Sequence, residues 1–180
     1  MGARKIVVYI ATSADGYIAR GDGSVDWLDR PRVAGNYGMG AFLRTIDTIL
    51  WGRKTYDQAF AMGGVGAYGP QTRNYVFTHR PPDPAPAGVE FVDEPVSEFA
   101  RRLRSQPGKD IWMMGGAGVI ASFLDAGEID EFIIHIVPAL IGEGIPLIEA
   151  RRRTVPLELL TLRRFKDGVV RVHYRVLGRA

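Results

Sequence analysis

Two rhythms of hydrophobic and polar positions run along the chain. Val7, Val8, Tyr9 and Ile10 form a nearly continuous apolar stretch, which is how a strand buried on both faces reads, so this one is predicted to lie centrally in a sheet. Similar runs at Thr48 to Trp51, Asn74 to Thr78, Ile111 to Met114 and Phe132 to Val137 predict further strands. Helical patterns fall between several of them, at Tyr37 to Ile46, Thr55 to Ala61, Val96 to Ser105 and Val119 to Ala126. In the third, Val96, Phe99, Ala100 and Leu103 take the i, i+3, i+4 and i+7 positions, which leaves Arg101, Arg102 and Arg104 on a solvated face. The alternation predicts an α/β sheet with parallel connections.

Near the end of the chain the rhythm changes to period two. Val170, Val172, Tyr174 and Val176 alternate with Arg171, His173 and Arg175 after an Asp167-Gly168 turn. This pattern predicts an antiparallel hairpin with Leu157 to Phe165, with His173 on its polar face in a structural role. Pro81, Pro82, Pro84 and Pro86 mark an extended linker inside one domain covering residues 1–180, because neither side carries enough elements to stand alone.

Composition narrows the class. With 46% hydrophobic and 24% charged residues the chain is an ordinary globular one, and no apolar run approaches the roughly 18 residues of a membrane span. Ile6 to Ala11 is too short for a signal-peptide core, so the expected location is the cytoplasm. Zero cysteines exclude disulfides, thiolate zinc sites and cysteine nucleophiles, and the three histidines, His79, His135 and His173, are far apart, so no metal site is expected. The net charge of +3 comes from basic residues spread among 20 acids. With no groove-reading helix and no basic strand interleaved with aromatics, nucleic acid is not the expected partner.

Three turns carry candidate chemistry. Gly52-Arg53-Lys54-Thr55 sits where a strand becomes a helix; the unpaired N–H groups and positive dipole end of a helix start suit a phosphate, and the two cations and the Thr55 hydroxyl add to them. The alternative is that Thr55 is only an N-cap and the cations are solvated. Gly115-Gly116-Ala117-Gly118 follows the next strand but one and opens the apolar helix, and its missing side chains would let a diphosphate reach the backbone. Gly116, Gly118 and Ala121 match the G-x-G-x-x-A dinucleotide fingerprint, but late in the chain and without the acid that ends the next strand of a Rossmann unit. Thr78-His79-Arg80 ends a further strand, where side chains face the ligand crevice of an open sheet; a polar loop is the alternative, and for His79 the preferred one.

In order, these pieces resemble the dihydrofolate reductase superfamily, and within it the branch that includes the reductase domain of riboflavin biosynthesis. The segments that carry the resemblance are Ala11 to Ala19 (ATSADGYIA), Asp47 to Tyr56 (DTILWGRKTY), Asn74 to Arg80 (NYVFTHR), Ile111 to Leu124 (IWMMGGAGVIASFL) and Phe132 to Leu147 (FIIHIVPALIGEGIPL). The resemblance implies a three-layer fold, with a central, mostly parallel sheet and a C-terminal antiparallel hairpin. It also implies NADPH as cofactor. Gly52, Arg53, Lys54 and Thr55 would contact its phosphates, Thr78 and Arg80 would lie near the 2′-phosphate and adenine, and Met114, Gly115, Gly116, Ala117, Gly118 and Val119 would hold the diphosphate. Ala11 and Ile18 would flank the nicotinamide, and a cis peptide is expected between Gly115 and Gly116.

The departures concern the substrate. Folate reductases carry a carboxylate on the first helix, yet the matching position falls near Asn36 and Tyr37, and no acid lies between Arg30 and Ile46. The hydroxyl residue that partners that carboxylate is matched by Ile134, so folate is not the expected substrate. Gly21 to Leu28 (GDGSVDWL) instead looks like the riboflavin-type branch, similar to 5-amino-6-(5-phosphoribosylamino)uracil reductase. The implied reaction is hydride transfer to a small polar heterocycle. Trp27 and Asn36 would contact that ring, Trp27 being equally suited to anchor a core. Proton donors are sought in Asp15, Asp26 and Glu143, in that order, with water as the alternative; for Asp15 and Gly16 a plain turn is the other reading. A homodimer is expected. The rival classes are a dinucleotide-binding or regulatory protein without turnover, a different α/β enzyme of phosphorylated substrates, and dihydrofolate reductase itself.

Overall fold

The computed structural model describes residues 3–30, 36–63, 68–69, 71–82, 84 and 86–178. Along the chain run β1 (Ile6–Ser13), β2 (Tyr17–Ala19), a single 3-10 turn (Asp26–Leu28), α1 (Met39–Leu43), β3 (Ile46–Gly52), α2 (Arg53–Ala61), β4 (Arg73–Phe77) and β5 (Val89–Val92). They are followed by α3 (Val96–Arg104), β6 (Asp110–Gly115), α4 (Ala117–Asp125), β7 (Glu131–Val137), β8 (Ile145–Pro146), β9 (Leu157–Arg164) and β10 (Val170–Val176). Eight strands form one sheet in the order β5-β4-β3-β6-β1-β7-β10-β9, and β2 pairs with β8 in a small second sheet. Every neighbour pair from β5 to β7 is parallel; β10 runs antiparallel to both β7 and β9. This is the fold class expected from the two rhythms, with β1 in the interior of the sheet.

Helices cover both faces. On one, Phe99 and Leu103 of α3 and Ile120 and Phe123 of α4 pack against Ile6, Val8, Leu50, Ile111 and Met113. On the other, Phe42 of α1 and Tyr56 of α2 pack against Val7, Tyr9, Ile49, Trp51 and Trp112. Complete burial of side chains such as Ile49, Leu50 and Phe99, all at 0% exposure, stabilises by about 1.5–3 kcal/mol each. Two of the three buried indoles are also hydrogen-bonded, Trp51 Nε1 to Asn74 Oδ1 and Trp112 Nε1 to the Tyr9 carbonyl, both at 3.0 Å, which offsets the cost of burying their N–H groups; Trp27 Nε1 has no partner among the described residues.

The C-terminal hairpin has the predicted two faces. Tyr174 and Val176 join the core, while His173 Nε2 meets Glu131 Oε2 at 2.9 Å in a structural pair. Two boundaries differ from expectation. The first helix contracts from Tyr37–Ile46 to Met39–Leu43: Gly38, with φ +93°, starts it late, and Ile46, 5% exposed, is drawn into β3. The proline-rich linker ends in an unforeseen edge strand, β5, which pairs with β4 from Asn74↔Val89 to Phe77↔Val92. Four residues with one charge among them are too few to show a period.

Candidate active site

The parallel register brings the three turns together. Gly52 pairs with Phe77 across β3 and β4, and Trp51 with Gly115 across β3 and β6. The turns that follow these strands therefore open on the same sheet end. The first two touch: a Cβ on Gly52 would lie 3.1 Å from the Gly116 nitrogen and 3.3 Å from Val119 Cγ1, and one on Gly116 would lie 2.9 Å from Thr55 Oγ1. Side chains at either glycine would fill the cleft between them, which accounts for the residue type in both places.

Both helix starts are bare. Gly52 is the N-cap of α2 and Gly116 the N-cap of α4, and neither makes a side-chain cap bond among the described residues. Thr55 is thus the third residue of α2, not its N-cap, so the capping alternative does not hold. The helix of the second turn begins two residues earlier than Val119, so Ala117 and Gly118 belong to α4 and the true bend is the pair Gly115-Gly116, whose peptide is cis. Free amides of two adjacent helix starts favour an anion.

Arg53 ties the third turn to the first. Its Nε lies 2.8 Å from both carboxylate oxygens of Asp57, its Nη1 donates to the Arg80 carbonyl at 3.0 Å, and its guanidinium lies 5.7 Å from the Phe91 ring centroid. Lys54 and Arg80 are exposed at this edge. Arg80 N donates to Thr78 Oγ1 at 3.1 Å, and His79 Nδ1 pairs with Asp93. His79 is therefore occupied as a polar loop residue.

Next to this groove, at the ends of β1, β6 and β7, lies a cavity of about 420 Å³. Ala11 and Met114 line it, as does Asn36; Tyr9, Tyr37, Tyr68, Trp112 and His135 make its aromatic wall. Trp27, 7% exposed, packs with Val137 and Val169 in a small core cluster behind that lining; of its two readings, the core anchor is the one observed. Ile18 lies in β2, outside the lining.

Asp15, Asp26 and Glu143 lie outside the lining too. Asp15 accepts from Ser13 Oγ at 2.5 Å, from the Gly142 amide at 2.8 Å and from the Ile141 amide at 3.1 Å. These bonds, that of Ser13 first, hold its pKa below the usual carboxylate range. Asp26 is bound by Arg20 through Nε at 2.6 Å and Nη2 at 3.0 Å, which likewise lowers its pKa. Glu143 is exposed on the loop that Asp15 tethers.

The sequence reading missed His135 and Tyr9. Ala11 pairs with His135 across β1 and β7, and Ile10 with Ile134, so the cavity face of β7 carries His135, while Ile134 packs on the opposite core. The signal was present in the sequence, as one imidazole inside an otherwise apolar run. His135 is 6% exposed; its Nε2 lies 3.2 Å from the Tyr37 carbonyl and 3.4 Å from Tyr9 Oη. Burial lowers its pKa and Arg171 adds to that, against the opposing pull of main-chain Tyr37 and Ile10, so the ring is neutral at pH 7. Burial pushes the Tyr9 phenol up to about 12, against a smaller opposite effect of Arg171.

The sheet order, the paired glycine turns and the adjoining cavity define the dihydrofolate reductase type of fold. Dihydrofolate reductase from Enterococcus faecalis, solved with NADP(H) and RAB-propyl, superposes with a TM-score of 0.66 at 18% identity over 96% of each chain. The chain belongs to the RibD C-terminal domain family, whose model matches residues 4–171. A Shewanella sp. PV-4 protein described as a riboflavin biosynthesis protein has a TM-score of 0.83 at 24% identity, over 96% of this chain and 99% of that one. The protein YwjB of Bacillus subtilis (strain 168) is 39% identical over 171 residues, 95% of this chain and 97% of its own.

Proposed function

We propose that the protein is an NADPH-dependent reductase of a small, flat, polar heterocycle of the pyrimidine type. One observation carries the reading: two uncapped helix starts, at Gly52 and Gly116, meet in a side-chain-free cleft beside a cavity lined by Ala11 and Met114. The free amides of Arg53, Lys54 and Thr55 and of Ala117, Gly118 and Val119 would hold the diphosphate. Lys54, Thr78 and Arg80 would meet the 2′-phosphate, with Arg53 fixing the Arg80 main chain. Ile18 and Ala11 would border the nicotinamide. When bound, the reduced nicotinamide supplies a hydride.

On the substrate side, Asn36 would offer hydrogen bonds and the aromatic wall would stack on the ring and keep water out. Asp15 serves by holding the rim of the cavity, and Asp26 and Glu143 would act at its margin. The exposed Leu157, Leu159 and Leu162 of β9, at 42%, 53% and 62%, would be covered by a second copy in a homodimer. The test is a titration with NADPH and NADH followed by tryptophan fluorescence, then nicotinamide absorbance with candidate pyrimidines. Tighter binding of NADPH followed by oxidation supports the reading; equal weak binding of both sinks it. Tight binding without oxidation by any of them marks the dinucleotide-binding rival.

A further inference from the structure

The cavity contains no carboxylate among its described lining residues, yet reduction of a C=N or C=O bond needs a proton as well as a hydride. Two groups at its inner wall carry suitable hydrogens. Tyr9 packs edge-on to Trp112 and stacks on Phe42 at 4.3 Å between ring centroids, so its ring is fixed while its hydroxyl reaches the cavity wall. Among the described residues that hydroxyl makes only long contacts, 3.4 Å to the Tyr37 carbonyl and 3.4 Å to His135 Nε2. A long contact is a weak one, so a ligand heteroatom can replace it. The Tyr37 carbonyl can only accept, so in the tautomer that satisfies it neutral His135 carries its hydrogen on Nε2, 3.2 Å away; that is the tautomer assigned to the ring. The same N–H faces Tyr9 Oη.

Resting on the reductase reading above, we propose that Tyr9 is the proton donor of the cavity and His135 its positioning partner. As the substrate's C=N or C=O carbon accepts the hydride, the π pair moves onto the heteroatom. The Tyr9 O–H bond breaks and the new N–H or O–H bond forms. The Tyr9 phenolate left behind accepts a hydrogen bond from His135 Nε2–H and faces the positive charge of Arg171, whose field already favours the ionised phenol. A solvent proton restores the hydroxyl. The other lining phenols are less suited: the Tyr37 hydroxyl is committed to Asp167, and among the described residues the aromatic neighbours of Tyr68 are Trp51 and Trp112, with no imidazole beside it.

The test uses two hydride acceptors that differ in their need for a proton. Isatin, a planar dicarbonyl, needs one; 10-methylacridinium accepts hydride alone. NADPH binding to the wild type and each variant is measured first by tryptophan fluorescence. Tyr9→Phe is expected to slow isatin reduction by about 100-fold or more, as general acids contribute that much, with acridinium reduction and NADPH affinity unchanged. His135→Asn, which can still donate, is expected to keep most of the isatin rate; His135→Phe is expected to lose it. A wild type that reduces acridinium but not isatin overturns the pair, as does an equal loss of both acceptors in Tyr9→Phe, or no loss of either. Failure of the wild type to bind NADPH, or to reduce either acceptor, sinks the reductase reading itself, and the pair with it.

Discussion

The glycine groove and the aromatic cavity share one end of one sheet and are built in opposite ways. The groove is made of main chain, with its polarity supplied by helix starts and its shape by the absence of side chains at Gly52 and Gly116. The cavity is made largely of side chains, from β1, β6, β7 and the segments before α1, and its polarity sits on Arg30, Asn36, the tyrosine hydroxyls and His135. A main-chain site suits a cofactor moiety that does not vary, such as a diphosphate. A side-chain wall can be rewritten residue by residue, so it suits the substrate, which is where members of one fold diverge.

Filling the groove breaks this contrast most sharply. Gly116→Val places atoms against Thr55 Oγ1, and overpacking of about 1–3 kcal/mol should weaken NADPH binding by roughly ten- to a hundredfold. The circular dichroism should stay native, whereas Asn36→Leu, which removes polarity from the cavity at nearly constant shape, should leave NADPH affinity unchanged. Arg80→Ala and Lys54→Ala should each reduce the preference for NADPH over NADH by about tenfold, the worth of one charge-assisted hydrogen bond. A combined variant with unaltered preference would remove those residues from the 2′-phosphate.

A subtler effect sharpens the cavity side. His135 has a lowered pKa in the folded state, so the unfolded chain binds more protons below its ordinary value of about 6.5. Its contribution to stability is complete above that pH and is lost as the pH falls toward the folded-state value. Urea midpoints of wild type and His135→Asn, measured between pH 7 and pH 5, should therefore converge on acidification. Parallel curves would mean that the imidazole is not desolvated. Smallest of all, Leu162→Lys on the exposed face of β9 should change the stability of one subunit by no more than about 0.5 kcal/mol and leave both groove and cavity intact. In sedimentation it should nevertheless separate a dimer into subunits.

The same contrast explains what could be read from the chain. The parallel strands, the final hairpin and the two glycine turns were legible because period, glycine placement and strand-to-helix transitions are local properties. Even the juxtaposition of the turns follows once β3, β4 and β6 are parallel neighbours. The cavity was not legible, because Tyr9, Asn36 and His135 meet only through register and through the path of the segment before α1. Asp15 stands out in the sequence as an acid, but its partners do not: its carboxylate accepts from the Ile141 and Gly142 amides. His135 was hidden by the run that contains it: a single residue decides which face of a strand is polar, and only the fold turns His135 to the cavity and Ile134 to the opposite core.

The Asp15 clamp has a consequence for how such proteins diverge. It joins the loop after β1 to the loop after β7 across 126 positions of sequence, and the Ala14 amide reinforces the joint by donating to the Ala139 carbonyl at 2.8 Å. The two loops form a single mechanical rim, so neither can change length or composition alone. Relatives that replace the acid at position 15 should carry a compensating change at 139–142, and a library that varies either loop separately should yield fewer folded members than one that varies both together.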